Sequence, residues 1–357
     1  YEYAPDAINE RTEETLREKH NEALKVMPVL FEKMDYQVIL CDLPYADYVA
    51  TSNMSIFDEY ETMRTYNLEQ TYAKNSQEKL LDSRQRGIAF WEYVFFKTSP
   101  YFIQPFIYQC INDRYDKGSL VYSDSFYSSY HVLENLCEMT KIDEGDTDYF
   151  MELDNNMTHE PCEFQVPEYT YPFVGEIDNS AYDFQTPRVT GGRTMRFDNR
   201  VQVNHYQTNV AALMMLGEWF TYLQEMGVYD NTRIVIAADH GFAMEQFDDL
   251  VIDEEMDAQA VNCLLMFKDF ESKDWKVAEE FMTNADVPTL TLGGLVENAV
   301  NPFTGVTIDS TRKYESPIKI TLSSNLRDGN VFDTSDAPWY SVHDDIFQRE
   351  NWTKIKD

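Results

Sequence analysis

The sequence predicts an α/β fold: a mostly parallel central sheet flanked by helices, with a small C-terminal subdomain. Two observations lead there. Short apolar runs of strand length recur along the chain, at 36–41 (YQVILC), 148–153 (DYFMEL), 233–238 (RIVIAA) and 261–267 (VNCLLMF). Longer stretches of helical character separate them, which is the alternation that covers a parallel sheet with helices. The chain has 357 residues, enough for one large α/β domain or two ordinary ones.

The elements follow in order. From Thr12 to Lys33 the chain is charged and helical, and Pro28 is expected to restart a helix in its first turn. Tyr36–Cys41 is the first buried strand, leading into the loop DLPYADY. Residues 75–140 read as helix in pieces, broken at Ser99-Pro100 and by the polar turn at 116–119. Asp148–Leu153 is the second strand and ends in Asp154-Asn155-Asn156. Residues 160–200 lack periodicity and carry Pro161, Pro167, Pro172 and Pro187, so they read as a long irregular excursion near a site. An amphipathic helix follows, with Val210, Leu213, Gly217, Phe220 and Leu223 on one face and Gly227 at its C-terminal cap. Next come the strands Arg233–Ala238 and Val261–Phe267. Residues 317–323 (PIKITLS) and the tail from Trp339 to Trp352 are expected to form an antiparallel edge or small subdomain.

Composition excludes several functions. Lys and Arg total 29 against 63 Asp and Glu, a formal net charge of −34. Such a field repels nucleic acid and anionic lipid, so no nucleic-acid partner is expected. Hydrophobic residues at 43% and aromatics at 14% supply enough apolar surface to fold despite the charge. The five cysteines (Cys41, Cys110, Cys137, Cys162, Cys263) are widely spaced with no C-x-x-C pair, which argues for scattered buried thiols rather than disulfides or zinc. The apolar stretch from Ala89 to Cys110 is interrupted by Glu92, Lys97, Pro100 and Pro105 and does not read as a membrane span. Its aromatic run at 89–108 reads as core packing, with a membrane-facing patch as the alternative. The chain opens on Tyr1 without a signal peptide, as expected of a fragment of a longer protein.

Chemistry concentrates at two histidines. In RIVIAADHGF an apolar strand delivers Asp239 and His240 at its C-terminal end, where open α/β sheets place ligand-binding groups. Carboxylate and imidazole side by side suit a borderline divalent metal; a solvent-facing polar strand terminus is the plain alternative. His159, in FMELDNNMTHEP, also lies just beyond a predicted strand, where an imidazole can hydrogen-bond an anionic oxygen or a leaving group. Alone it reads equally well as a loop histidine. His205, expected to open the helix before the Asp-His strand, is a weaker candidate for the same site. Arg193 in TGGRTMRF is a candidate anion clamp, set against the plainer reading of a turn residue.

These segments resemble a known family. LGEWFTYLQEMGVYDNTRIVIAADHGF is similar to the sulfatase-type branch of the alkaline phosphatase superfamily, nearest to the membrane-anchored lipoteichoic acid synthases and phosphoethanolamine transferases. HNEALKVMPVLFEKMDYQVILCD, DYFMELDNNMTHEP and EEFMTNADVPTLTLGGLVENAVNPFTG resemble further family segments in order, with Asp35 where the family carries Gly. The match covers roughly residues 18–45 and 147–305. It implies that Asp239 and His240 are metal ligands, for Mn, Zn, Mg or Ca, and that His159 contacts the transferred phosphoryl or sulfuryl group.

The family also carries an acidic ligand on a first strand and a Thr, Ser or modified Cys nucleophile on the following helix. Thr12 and Thr15 follow no strand that would place them there. The resemblance therefore implies that residues 1–310 are a sulfatase-like domain lacking that strand and helix, with 311–357 as the C-terminal subdomain or tail. The parent would be a membrane-anchored enzyme on the extracytoplasmic face of a bacterial membrane. It would act as hydrolase or transferase on phosphorylated or sulfated envelope head groups, while this portion keeps half a metal site and is inactive alone. The alternative is a pseudoenzyme that retains the fold as an envelope binding module.

Overall fold

The structure, a computed structural model, describes residues 2–49, 52–69, 124–159, 161–170, 177–184, 186–321, 327–328, 330–332 and 338–356, with isolated positions at 71, 94, 98, 99 and 104. The expected helical pieces between 75 and 123, the aromatic run at 89–108 and Cys110 fall almost entirely outside the described residues.

Helix α1 spans Pro5–Glu10 and α2 spans Leu16–Glu32. Thr15 caps α2: its Oγ1 accepts the Glu18 N–H at 3.2 Å, and the Glu18 carboxylate accepts the Thr15 N–H at 2.7 Å. Pro28 does not restart a helix; it lies inside α2, which runs on to Glu32. Pro28 and its neighbours Val26, Val29 and Phe31 are buried, and that packing holds the turn although proline lacks the N–H for a ladder bond. The chain then turns through Asp35, at φ +65°, into strand β1, Gln37–Cys41.

β1 is the centre of a parallel three-stranded sheet of order β2-β1-β3, where β2 is Arg64–Tyr66 and β3 is Tyr149–Leu153. The register pairs Gln37 with Tyr149 and Cys41 with Leu153. Phe31 of α2 stacks on Phe150 of β3, centroids 4.1 Å apart and planes 10° apart. Together with Val29, Val38, Leu40, Leu43 and Phe57 they form the first core cluster; burying each such side chain is worth about 1.5–3 kcal/mol. β3 leaves Tyr149 and Met151 exposed on one face.

Helices α3, Asp124–Glu134, and α4, Leu136–Met139, precede β3. Among its described residues, the irregular excursion after it contains one hairpin, β4 (Arg188–Thr190) with β5 (Arg193–Met195), turning through Gly191-Gly192. Helix α5 then runs from Arg200 to Glu225, capped by the Asn199 side chain on the Gln202 N–H at 3.1 Å. It starts ten residues before the periodic apolar face, so His205 lies inside its second turn and does not open the helix. Gly227 at φ +73° ends it, with the Val228 N–H reaching the Leu223 carbonyl at 3.0 Å. The second core cluster joins α3 and α5 through Phe126, Tyr127, Phe164, Ala211 and Ala212.

Strand β6, Ile234–Ala237, pairs antiparallel with β7, Leu265–Lys268, in a separate two-stranded sheet. Among the described residues the parallel arrangement is thus confined to β1–β3. The segment between β6 and β7 holds only short 3₁₀ turns, and without a crossover helix two strands pair antiparallel. Val261 and Asn262, expected in the strand, belong to the turn before it. Helix α6, Val287–Leu292, packs Leu292 into the first cluster. Beneath it, Lys313, in the short helix α7 (Arg312–Glu315), forms a 3.0 Å ion pair with Asp286, both fully buried.

The C-terminal region is antiparallel as expected: β8 (Ile318–Ile320), β11 (Trp339–Val342) and β12 (Trp352–Lys356) pair in the order β12-β11-β8, beside the small hairpin of β9 (Arg327–Asp328) and β10 (Val331–Phe332). Tyr340, Val342 and Trp352 share a third cluster with Leu250, Ile252 and Met256, so this sheet packs on the loop after β6. The β9–β10 hairpin meets the first helices: Asn9 exchanges two hydrogen bonds with the Phe332 backbone, and the buried Lys19 Nζ donates to the carbonyls of Ile8 (3.0 Å) and Asn330 (2.7 Å). Among the described residues no helix is long and apolar enough to cross a membrane.

Candidate functional site

Three strands deliver chemistry at their C-terminal ends. Asp239 and His240 follow β6 after the single residue Ala238. Their backbone is pinned by the Ala238 N–H to the Leu264 carbonyl at 2.9 Å and by the Asn284 side chain, which donates to the carbonyls of Ala238 (3.0 Å) and Asp239 (2.8 Å). Gly241 comes next because nothing larger fits: a Cβ there would lie 2.0 Å from the Gln259 carbonyl oxygen. Both side chains face solvent, with Asp239 88% and His240 60% exposed.

His240 Nδ1 lies 2.7 Å from the Gly241 carbonyl oxygen. A carbonyl only accepts, so Nδ1 carries a proton, and in the neutral ring the lone pair is on Nε2. That Nε2 lies 3.5 Å from Asp239 Oδ2. Two ligands at about 2.1 Å from one tetrahedral cation stand roughly 3.4 Å apart, so the pair fits a shared divalent ion and would supply two of its ligands. Cys263 lies beside them, its Sγ 3.6 Å from the Asp239 carbonyl oxygen, and burial pushes its thiol pKa up. Among the described residues no three such groups are placed to hold a metal ion.

His159 sits on the loop after β3, exposed, its N–H donating to the Asn156 carbonyl at 3.1 Å. Asn155 fixes this loop by donating to the Ser129 carbonyl at 2.9 Å and accepting the Met157 N–H at 3.1 Å. His205 is buried on α5, its ring 4.7 Å from that of Phe242, two residues beyond His240. Burial, and secondarily the nearby His159, lower the His205 pKa, so this imidazole is neutral near pH 7. His205, a minor candidate in the sequence, thus lies against Phe242 of the Asp-His loop and near His159. Arg193 is already occupied: its Nε donates to Asp249 Oδ2 at 2.8 Å and its guanidinium lies 4.4 Å from the Phe347 ring centroid. No contact brings it to Asp239, His240 or His159.

A second group of acids lies at the ends of β1 and β3, which sequence reasoning missed because no spacing marks it. Asp42 and Asp154 directly follow the register pair Cys41–Leu153, and Glu152 stands two residues before Asp154 on the same face of β3. Asp42 is buried at φ +54° and accepts the Glu69 N–H at 3.2 Å. The Glu69 carboxylate in turn accepts the Ser129 hydroxyl. Burial, with Glu69 and Asp154 nearby, pushes Asp42 up to about 7. Burial and the charges of Glu69 and Asp239 push Asp154 up to about 6. Burial and Asp154 push Glu152 up to about 7. The influence of Asp239 on Asp154 puts the end of β6 near the end of β3.

Compared with known proteins, the chain matches no family model, no curated protein and no solved structure.

Proposed function

We propose that this chain is part of the extracytoplasmic domain of a membrane-anchored, metal-dependent enzyme of the sulfatase-like, alkaline phosphatase-type class. It would transfer or hydrolyse phospho- or sulfo-esters of envelope head groups. The observation that carries the reading is the Asp239–His240 pair, held at a strand end with donor atoms 3.5 Å apart and facing solvent. Asp35 adds support: it stands where the resembled family has Gly and adopts the left-handed backbone that glycine enters most readily.

In this reading Asp239 Oδ2 and His240 Nε2 hold a divalent cation, while the Gly241 carbonyl fixes the imidazole tautomer and orientation. A bound cation supplies Lewis acidity and activates a hydroxyl nucleophile, which lies outside the residues assigned here. His159 presents its imidazole to an equatorial oxygen of the ester or to the leaving alcohol. His205, buried and neutral, backs the site from α5. An acidic protein repels an anionic substrate except where a cation inverts the local field, so removing the cation costs binding as well as chemistry.

The non-catalytic alternative, an envelope binding module, draws on one observation. Thr15 Oγ1 donates to Glu18 Oε2 at 2.8 Å and accepts the Glu18 N–H, so this hydroxyl is committed to capping α2.

Titration calorimetry with Mn²⁺ or Zn²⁺ tests the proposed site. The expected result is one weak site, abolished in D239N/H240A. Equal binding by that variant, or no binding by the parent chain, refutes the assignment.

A further inference from the structure

The half-buried arginines Arg11, Arg193, Arg196 and Arg233 each pair with a carboxylate, and Arg188 does not. Arg188 opens β4 and is half-buried like them. Among the described residues it donates to no carboxylate and no carbonyl. The chain has 63 acidic residues against 29 basic ones, so carboxylates are not scarce. Aromatic rings hold the guanidinium instead. Its carbon lies 4.6 Å from the Tyr206 ring centroid and 5.4 Å from that of Phe197, and these two rings meet edge to face with centroids 5.4 Å apart. Rings against its face leave the N–H fork at the rim, and the Arg188 nitrogens are not sealed from solvent. The polar neighbours are hydroxyls: that of Tyr169 lies within hydrogen-bonding reach of both Arg188 and Tyr206. Tyr206 directly follows His205 on α5, so this corner stands one position along from the imidazole that backs the proposed site.

We infer that Arg188, with the hydroxyls of Tyr169 and Tyr206, forms a binding site for a tetrahedral oxyanion, the phosphate or sulfate group of a ligand. A guanidinium fork takes two oxygens of such a group side by side, and each phenol offers one further donor. A partly desolvated cation calls for a counter-charge, and the fold supplies none here. The rings behind the guanidinium fix its plane, so little side-chain freedom is lost on binding. A net charge of −34 repels anions at long range, so the site works by contact and binds weakly. The anion clamp expected at Arg193 thus moves to the other strand of the same hairpin, to an arginine that no acid occupies. That the anion belongs to an ester substrate rests on the proposed function; the anion site itself does not, and it needs no metal.

The test titrates the full chain in EDTA with sodium phosphate and, separately, sodium sulfate, against sodium chloride at matched ionic strength. Calorimetry reads the affinity, and NMR of the arginine side chains reads the Arg188 Nε–H resonance. One site is expected, with that resonance shifted. R188K keeps a cation over the rings but loses the fork, and should bind at least about fivefold more weakly; Y169F should lose about two- to threefold. R193Q and D239N/H240A should bind like the parent. The inference is overturned if the parent binds neither anion beyond chloride, if R188K binds as the parent does, or if the Arg188 resonance does not move. Binding lost in D239N/H240A and kept in R188K also overturns it, and places the anion at the Asp-His loop. Melting temperatures show whether each variant is folded; where R188K is not, the shift of Arg188 in the parent decides. Glycerol phosphate, an ester of the proposed kind, should displace inorganic phosphate. If it does not, while phosphate still requires Arg188, the ester reading fails and the anion site stands.

Discussion

Replacing Glu152 by glutamine should stabilise this protein at pH 8 and do little at pH 4. Burial lifts the Glu152 carboxyl from an ordinary 4.5 to about 7. Between those values the folded chain binds more protons than the unfolded one, so stability falls as pH rises through that window and levels off above it. At 1.36 kcal/mol per pH unit the full span is worth about 3 kcal/mol, an upper figure for one group inside a coupled cluster. An amide does not ionise and escapes this loss, though about 1 kcal/mol returns if its N–H₂ finds no partner. The assay is urea unfolding of the parent and E152Q, followed by tryptophan fluorescence in EDTA, at half-unit steps from pH 4 to 8.5. Between pH 4 and pH 8 the difference should grow by about 2–3 kcal/mol in favour of the variant. A difference that is flat with pH, or a variant less stable at pH 8, would sink the argument that an unpaired buried charge sits there.

Other substitutions probe the remaining parts. His240→Ala should change metal-free stability by less than about 0.5 kcal/mol, because the side chain is 60% exposed and packs on no core; a large fall in melting temperature would contradict its placement. Gly241→Ala must move the Gln259 carbonyl and should cost about 1–3 kcal/mol in chemical denaturation, while an unchanged midpoint would mean that the loop after β6 is misdescribed. Thr15→Ala removes the reciprocal cap of α2 and should cost about 1 kcal/mol; Thr15→Ser should restore most of it, and failure of that rescue would point to some other role for the threonine.

The strands were legible where their apolar runs were continuous: 36–41, 148–153 and 233–238 fold as β1, β3 and β6 within a residue or two. Their pairing was legible only in part: β1 and β3 lie parallel as expected, and β6 joins a separate antiparallel pair. An apolar run says that a strand is covered, not which neighbour covers it, and β6 pairs antiparallel with β7 because the intervening loop supplies no helix. Pro28 misled for a related reason: tertiary packing of its neighbours outweighs the lost backbone bond. At the candidate site, Asp239 and His240 stood out because adjacent chemistry after a strand is a local signal. His205 carried only a faint one, its 4.7 Å approach to Phe242 being set by how α5 packs. Arg193 looked available until its partners Asp249 and Phe347, both distant in sequence, were in place. The carboxyls of Asp42, Glu152 and Asp154 were invisible because parallel register alone brings them together across more than a hundred residues.

The bonds between Asn9 and Phe332 can form only after the residues between them have been made. They join positions 323 residues apart, and the Lys19 ammonium donates to the Asn330 carbonyl of the same hairpin. At about 5–20 residues per second, a ribosome needs roughly 15 to 65 s to go from one partner to the other. Throughout that interval α1 has no hairpin to rest on, and Lys19 has only the Ile8 carbonyl from its own neighbourhood. Helices α1 and α2 are therefore locked against this hairpin only after it has been made, and the sheet that α2 covers must form under an unfinished roof.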